Sequence, residues 1–198
     1  PGDASTGVFP GAAAETYYFG VSLGGIMGLL TAALTPDIER FNIDVGAINF
    51  SLLLQRSTQF SVFETVLATV GLNDPMQAAL GLGLLHEQWV TSEPAAYARH
   101  ITGLVEPPLP GSIPKKILMT VAWLDKQVSN QAAEVAARTL GIPNFDGVSL
   151  VRGLQQIPDA AEGASGLDSA YVVYDVGSFD VFDPAFDAVI PPLANLIP

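Results

Sequence analysis

Aromatic and β-branched residues crowd positions 16–21 (TYYFGV), the composition that fills a pleated, half-buried strand. The next four residues, SLGG, read as a turn, and 26–34 is apolar on every side, as a buried helix is. Thr35-Pro36-Asp37 ends that helix, and 41–50 (FNIDVGAINF) reads as a second buried strand. Strand signals then fade across 51–110. A helix is predicted over 60–70. Asn73-Asp74-Pro75 starts another, with a capping side chain followed by proline in the first turn, running to about 89. Ser92-Glu93-Pro94 starts a third, which ends near 101 ahead of a proline-rich connector, 105–114. Strand character returns at 116–122 (KILMTVA). Ala132, Val135, Ala136 and Leu140 share one face of a helix over 131–140, with Gly141 at its C-cap. A fourth strand covers 170–174 (AYVVY). Asp183-Pro184 opens a last helix with Phe182, Phe186, Val189 and Ile190 on one side. Strands alternating with helices predict an α/β fold: a parallel sheet of about four strands with flanking helices. Residues 1–198 read as a single domain, with the helical stretch 51–110 inserted between the second and third strands.

Composition narrows the function. The chain has 198 residues, 49% hydrophobic and 14% charged, which excludes disorder and allows a sizeable core. Its net charge of −12 repels phosphate backbones, so nucleic acid is not an expected partner. The absence of cysteine excludes disulfides, thiolate zinc sites and a cysteine nucleophile. High acidity with few lysines points to a secreted or periplasmic protein. The uncharged run 17–34 approaches the length of a membrane span. Gly20, Gly24, Gly25 and Gly28 interrupt it and no basic flank follows, so a transmembrane role is not expected.

Gly20-Val21-Ser22-Leu23-Gly24 carries the chemistry. It matches G-x-S-x-G between a predicted strand and a predicted helix. An abrupt strand-to-helix turn forces its serine into a strained backbone conformation and lifts the hydroxyl above the strand's carboxyl end. Small residues two positions to either side are expected to relieve clashes. The helix N-terminus beneath favours developing negative charge. Asp125 follows the third strand in VAWLDKQV, where a carboxylate can orient a histidine and stabilise its imidazolium; an ordinary loop aspartate or helix cap is the plainer reading.

GVSLGG and VAWLDKQV resemble the nucleophile elbow and the acid loop of α/β-hydrolase-fold serine hydrolases, and the stretch from FGVSLGGIMG to NFSLLLQRS is similar to poorly characterised secreted bacterial hydrolases. The resemblance covers about 16–180 and only the second half of that fold. It implies Ser22 as nucleophile, Asp125 as acid, the Leu23 backbone N–H as one oxyanion donor, and 51–110 as a helical lid. It implies no cofactor. The family's earlier strands, one of whose loops gives the second oxyanion donor, have no counterpart here. The family's histidine follows its last strand, whereas this chain has none after His100. Three explanations stand. The chain is a fragment or processed subunit completed by a missing N-terminal segment or second chain; the remaining segments lie outside the sequence at hand; or the histidine is lost and the protein is a non-catalytic relative.

The other candidates are weaker. His100 is an alternative base if the lid folds over Ser22; His86 reads as a hydrogen-bonded lid residue. Two histidines without clustered carboxylates make a poor metal site, and the Asp180, Asp183 and Asp187 series lacks a calcium-loop spacing. Arg56 reads as a lid anchor or a contact to an acidic substrate group. The expected function is a serine esterase or lipase that cleaves a small acyl ester or lipid-like substrate through an acyl-enzyme. The alternative is a binding or structural module on a degenerate hydrolase fold.

Overall fold

Strand residues alternate between a helix-covered face and an open one, and this alternation organises the molecule. The computed structural model describes residues 15–145, 156–157 and 167–174. In chain order the elements are β1 (Tyr17–Val21), α1 (Leu23–Leu34), β2 (Arg40–Asp44), α2 (Phe50–Gln55), α3 (Phe60–Thr69) and α4 (Pro75–Trp89). Three single-turn 3-10 helices follow at Val90–Ser92, Pro94–Ala96 and Ala98–His100. The rest are β3 (Lys116–Ala122), α5 (Asn130–Leu140), β4 (Asn144–Phe145), β5 (Gln156–Ile157) and β6 (Ala170–Tyr174). The strands form one sheet in the order β1-β2-β3-β6-β4-β5, and every ladder is parallel. The chain therefore passes outward to β4 and β5 and returns, so that β6 enters between β3 and β4.

This is the α/β class expected, with the four longer strands near their predicted places and two two-residue strands added beyond them. The second strand stops at Asp44 rather than near 50, because Val45 turns to φ 44° and breaks the extended run. Asn49, at φ 65°, then caps α2 by accepting from the Leu52 N–H. α1 begins at Leu23, so Gly24 and Gly25 lie in its first turn rather than ahead of it. Residues 92–101 form no continuous helix. Pro94 stands in the first turn, where a helix tolerates it, and the Glu93 carboxylate that accepts from Ala95 N–H is tied to Asn49 N–H across the insertion. The chain instead closes separate i→i+3 turns, with Tyr97 N–H donating to Pro94 O and His100 N–H to Tyr97 O. The expected helix near 183–190 and the opening loop lie outside the described residues. The uncharged run 17–34 divides into β1 and α1, and no helix among the described residues is long and apolar enough to cross a membrane.

One sheet face carries the core. Leu29, Ala32 and Ala33 of α1 and Ala133, Ala136, Ala137 and Leu140 of α5 pack on Phe41, Ile43, Ile117, Met119, Val121, Tyr171 and Val173. Alanine dominates the α5 contact, which lets the helix lie close to the strands. On the opposite face Tyr17, Phe19, Val21, Leu118 and Tyr174 are exposed. Their register is common, since Val21 pairs with Asp44, Asp44 with Thr120 and Ala122 with Tyr174.

The insertion between β2 and β3 is fastened by a buried carboxylate. Glu93 is 1% exposed. One of its oxygens accepts from Asn49 N–H at the start of α2, and the other accepts from Ala95 N–H at 2.9 Å. It thereby ties the beginning of the insertion to its end. Burial raises its pKa above the ordinary glutamate value, against the backbone N–H groups and His86, which lower it. Glu93→Ala takes the acceptor from two part-buried backbone N–H groups and should cost about 2 kcal/mol of unfolding free energy in urea. The raised pKa means that the native state holds more protons than the unfolded chain just above the ordinary glutamate pKa. Wild-type stability should fall as pH rises through that window, and the variant should lose this component of the pH dependence.

Candidate active site

The turn at Ser22 is one residue long. β1 ends at Val21 and α1 begins at Leu23, with Ser22 between them at φ 56°, ψ −120°. A non-glycine residue rarely occupies that region, and strain of about 1–3 kcal/mol is typical where one does. Two bonds fix the turn: Ser22 N–H donates to Asp44 O at 3.0 Å, and Ser22 O accepts from Ile26 N–H at 3.0 Å. Ser22 occupies the N-cap position, yet its side chain makes no capping bond, whereas Asn49, Asp74 and Ser129 all cap their helices. Its hydroxyl is thus exposed at the sheet's carboxyl edge and is not used to close the helix end. Intrahelical bonding starts at Ile26 N–H, which leaves the first-turn N–H groups, Leu23 included, directed along the helix N-terminus.

The glycines around this turn have different duties. A Cβ on Gly20 would stand 2.3 Å from Gly24 O, and one on Gly25 would stand 2.7 Å from Asp44 O. A Cβ on Gly24 would meet nothing within 4 Å. The expected crowding therefore holds at Gly20 but not at Gly24; on the helix side Gly25 is the crowded position. Tyr18 occupies the space that Gly20 and Gly28 leave open, and its hydroxyl donates to Gly24 O at 2.7 Å.

Three neighbouring strands deliver polar groups to the same edge. Asp44, the last residue of β2, accepts from the Thr120 hydroxyl of β3 at 2.7 Å. It was not among the sequence candidates; its signal was a lone acid closing an apolar strand. Asp125 lies in the loop after β3, two strands from Ser22, a lateral spacing of about 10 Å. Its Oδ1 accepts from Gln127 N–H at 2.7 Å and Val128 N–H at 3.0 Å, which folds the loop into a tight turn. Leu124, at φ 61°, precedes it. Asn130 holds both sides of that turn, accepting from Leu124 N–H and donating to Ala122 O, each at 2.7 Å. Lys126 carries an amine that is out of reach of water and makes no hydrogen bond, and burial holds its pKa below the usual lysine range. A small apolar cluster of Ile26, Ala47, Leu53, Val128 and Ala132 packs the three loops together.

His100 is not at this edge. His100 Nδ1 lies 2.8 Å from Pro107 O, and Nε2 lies 3.2 Å from the Glu106 carboxylate, which also binds Arg99. The adjoining Ile101 O accepts from Lys115 N–H, just before β3 begins. His100 thus sits at the amino end of the sheet, about 20 Å from the carboxyl edge across a seven-residue strand. His86 Nδ1 accepts from the Trp89 indole at 3.1 Å on α4. The structure brings Ser22, Leu23, Asp44 and Asp125 to one edge and leaves His100 at the other. Among the described residues no group of three His, Asp or Glu is placed to hold a metal ion.

No protein-family model matches the chain, and no curated protein matches it in sequence. Fold and geometry are therefore the whole basis for a functional reading. Gly20→Ala should destabilise the protein by at least about 2 kcal/mol and disturb the Ser22 turn, because the obstructing atom is backbone. Gly24→Ala should be neutral or slightly stabilising, since alanine is the better helix former. Equilibrium unfolding of the two variants separates these outcomes.

Proposed function

We propose that this chain carries the nucleophile half of a serine hydrolase of esterase or lipase type. One observation supports the reading above the others: an exposed serine at φ 56°, ψ −120° joins a parallel strand to a helix without capping that helix. In this reading Ser22 Oγ attacks an ester carbonyl and its proton passes to a general base. The alcohol leaves with a proton returned by that base, and water then releases the acyl group. The Leu23 N–H and the dipole of α1 stabilise the tetrahedral oxyanion. Asp125, held by Gln127 and Val128, orients the base. His100, at the far end of the sheet, is not placed to act as that base, and the ring of His86 is held by the Trp89 indole. The proposal therefore includes a histidine and a second oxyanion donor supplied by a further segment or second chain. The substrate is a small acyl ester or a lipid-like ester, and an exported bacterial location fits the acidity.

A second reading, a non-catalytic binding module, is favoured by one observation only, the position of His100. A fluorophosphonate probe followed by intact-mass analysis of the native protein distinguishes the two. A single adduct that disappears in Ser22→Ala is expected, with labelling of Asp125→Asn slowed about a thousandfold or more. An unlabelled native protein would leave the binding-module reading.

A further inference from the structure

One charge stands alone around the Ser22 turn. Residues 16–36 carry none, and between Arg40 and Arg56 the single charged residue is Asp44. Strand register brings it to the serine: Val21 pairs with Asp44, and Ser22 N–H donates to Asp44 O at 3.0 Å. Adjacent strands lie about 5 Å apart, so Asp44 is one ladder from Ser22, whereas Asp125 follows a strand further off. Phe41 and Ile43 of the same strand belong to the core, which puts the Asp44 side chain on the opposite face of the sheet. Asp44 is half-buried. Among the described residues its carboxylate takes one bond, from the Thr120 hydroxyl to Oδ1 at 2.7 Å, and enters no ion pair. Other acids of the chain are better satisfied: Glu93 accepts from two backbone N–H groups, and Glu39, Glu106 and Asp168 are ion-paired. Drawing a carboxylate partly out of water is costly unless hydrogen bonds or an opposite charge replace the water. At Asp44 one neutral donor serves Oδ1, and no described residue serves Oδ2. The other charged groups of this edge are Asp125, Lys126 and Arg56, in the loop after β3 and in the segment that Thr58 N–H joins to it. Lys126 keeps its amine buried and without a hydrogen bond.

We infer that Asp44 is a specificity-determining residue, whose open carboxylate oxygen receives a protonated amine that the ester carries close to its scissile carbonyl. This rests on the esterase reading and narrows its substrate class to amine-bearing, cationic esters, because an anionic ester meets the same carboxylate as repulsion. The test uses three fluorophosphonate probes that differ only in a short tail, ending in an ammonium, a neutral amide or a carboxylate. Each is reacted with the native protein, and intact mass reads the rate of the adduct that Ser22→Ala lacks. In the wild type the ammonium probe should react at least about tenfold faster than the carboxylate probe. The order should persist in 1 M salt, where a Debye length of about 3 Å removes the pull of the remaining net charge. Asp44→Asn keeps an amide oxygen for the Thr120 hydroxyl, and in it the ratio of the two rates should fall at least about fivefold. Glu39→Gln makes the same change in net charge at the amino end of the sheet and should leave the ratio as in the wild type. Equal rates for the two charged probes in the wild type, a preference that salt abolishes, or a ratio that Asp44→Asn leaves unchanged each overturns the inference. The wild-type rates and their salt series decide the matter even where Asp44→Asn does not fold. A native protein that none of the three probes labels overturns the esterase reading itself, whereas labelling without a charge preference overturns the specificity alone.

Discussion

The approach of α1 to β1 and β2 is the constraint on which the rest of the carboxyl edge depends. A strand can pass into a helix through one residue only if the helix starts almost in contact with the strand. Gly20 and Gly25 permit that contact, because a Cβ at either would collide with backbone oxygen. Tyr18 then fills what the missing side chains leave. Its ring lies within 2.7 Å of the Cβ that Gly20 lacks and 2.5 Å of the one that Gly28 lacks, while its hydroxyl holds Gly24 O. The strained Ser22 is a consequence of this packing, and the buried faces of α1 offset its cost.

The same device recurs along the sheet. Among the described residues the non-glycine residues at positive φ are Ser22, Val45, Asn49 and Leu124, and they lie in the segments that follow β1, β2 and β3. Val45 is the least expected, since a β-branched side chain is poorly tolerated there. Each is held by specific bonds: Val45 N–H to Thr120 O at 2.7 Å, Asn49 through Leu52 and Glu93, Leu124 through Asn130. Strain at the ends of three adjacent strands, fixed by hydrogen bonds and a shared apolar cluster, produces a rigid edge rather than a set of loose loops.

Much of the fold was legible because the strands and α5 are locally consistent. KILMTVA and AYVVY are strands where they were expected, and Gly141 stands at φ 72° at the end of α5 as a C-cap should. Ser22 was legible through its glycines, although the pattern misassigned which of them are crowded: Gly25, outside the motif, is pressed against Asp44 O, and Gly24, inside it, is not. Asp44 was missed because its role depends on register. The pairing of β2 with β3 sets it against Thr120, and the pairing of β1 with β2 sets it beside Ser22. The segment 92–101 was read as a helix from its Ser92-Glu93-Pro94 start; it forms separate 3-10 turns instead, with the Glu93 carboxylate bonded to Asn49 N–H across the insertion.

The distribution of cations adds a last step. Arg40, Arg99, Lys115 and Lys116 lie at the amino end of the sheet, and Arg138 lies in the last turn of α5 beside it. There they engage Glu15, Glu106, Glu39 and Asp168, the Thr35 carbonyl and Glu134. At the carboxyl edge Asp44 and Asp125 instead receive a hydroxyl and backbone N–H groups, while the one lysine of that loop, Lys126, is buried with its amine unbonded. Acyl transfer from Ser22 would create an anion above the N-terminus of α1 and a cation on the base beside it. Backbone donors orient Asp125, and the N-terminus of α1 faces the position of that anion. Arg56 stands apart from the cations of the amino end, in the segment that Thr58 N–H, donating to Lys126 O at 2.9 Å, joins to the Asp125 loop, and the helix N-terminus is the feature of this edge that suits the anion of the proposed chemistry.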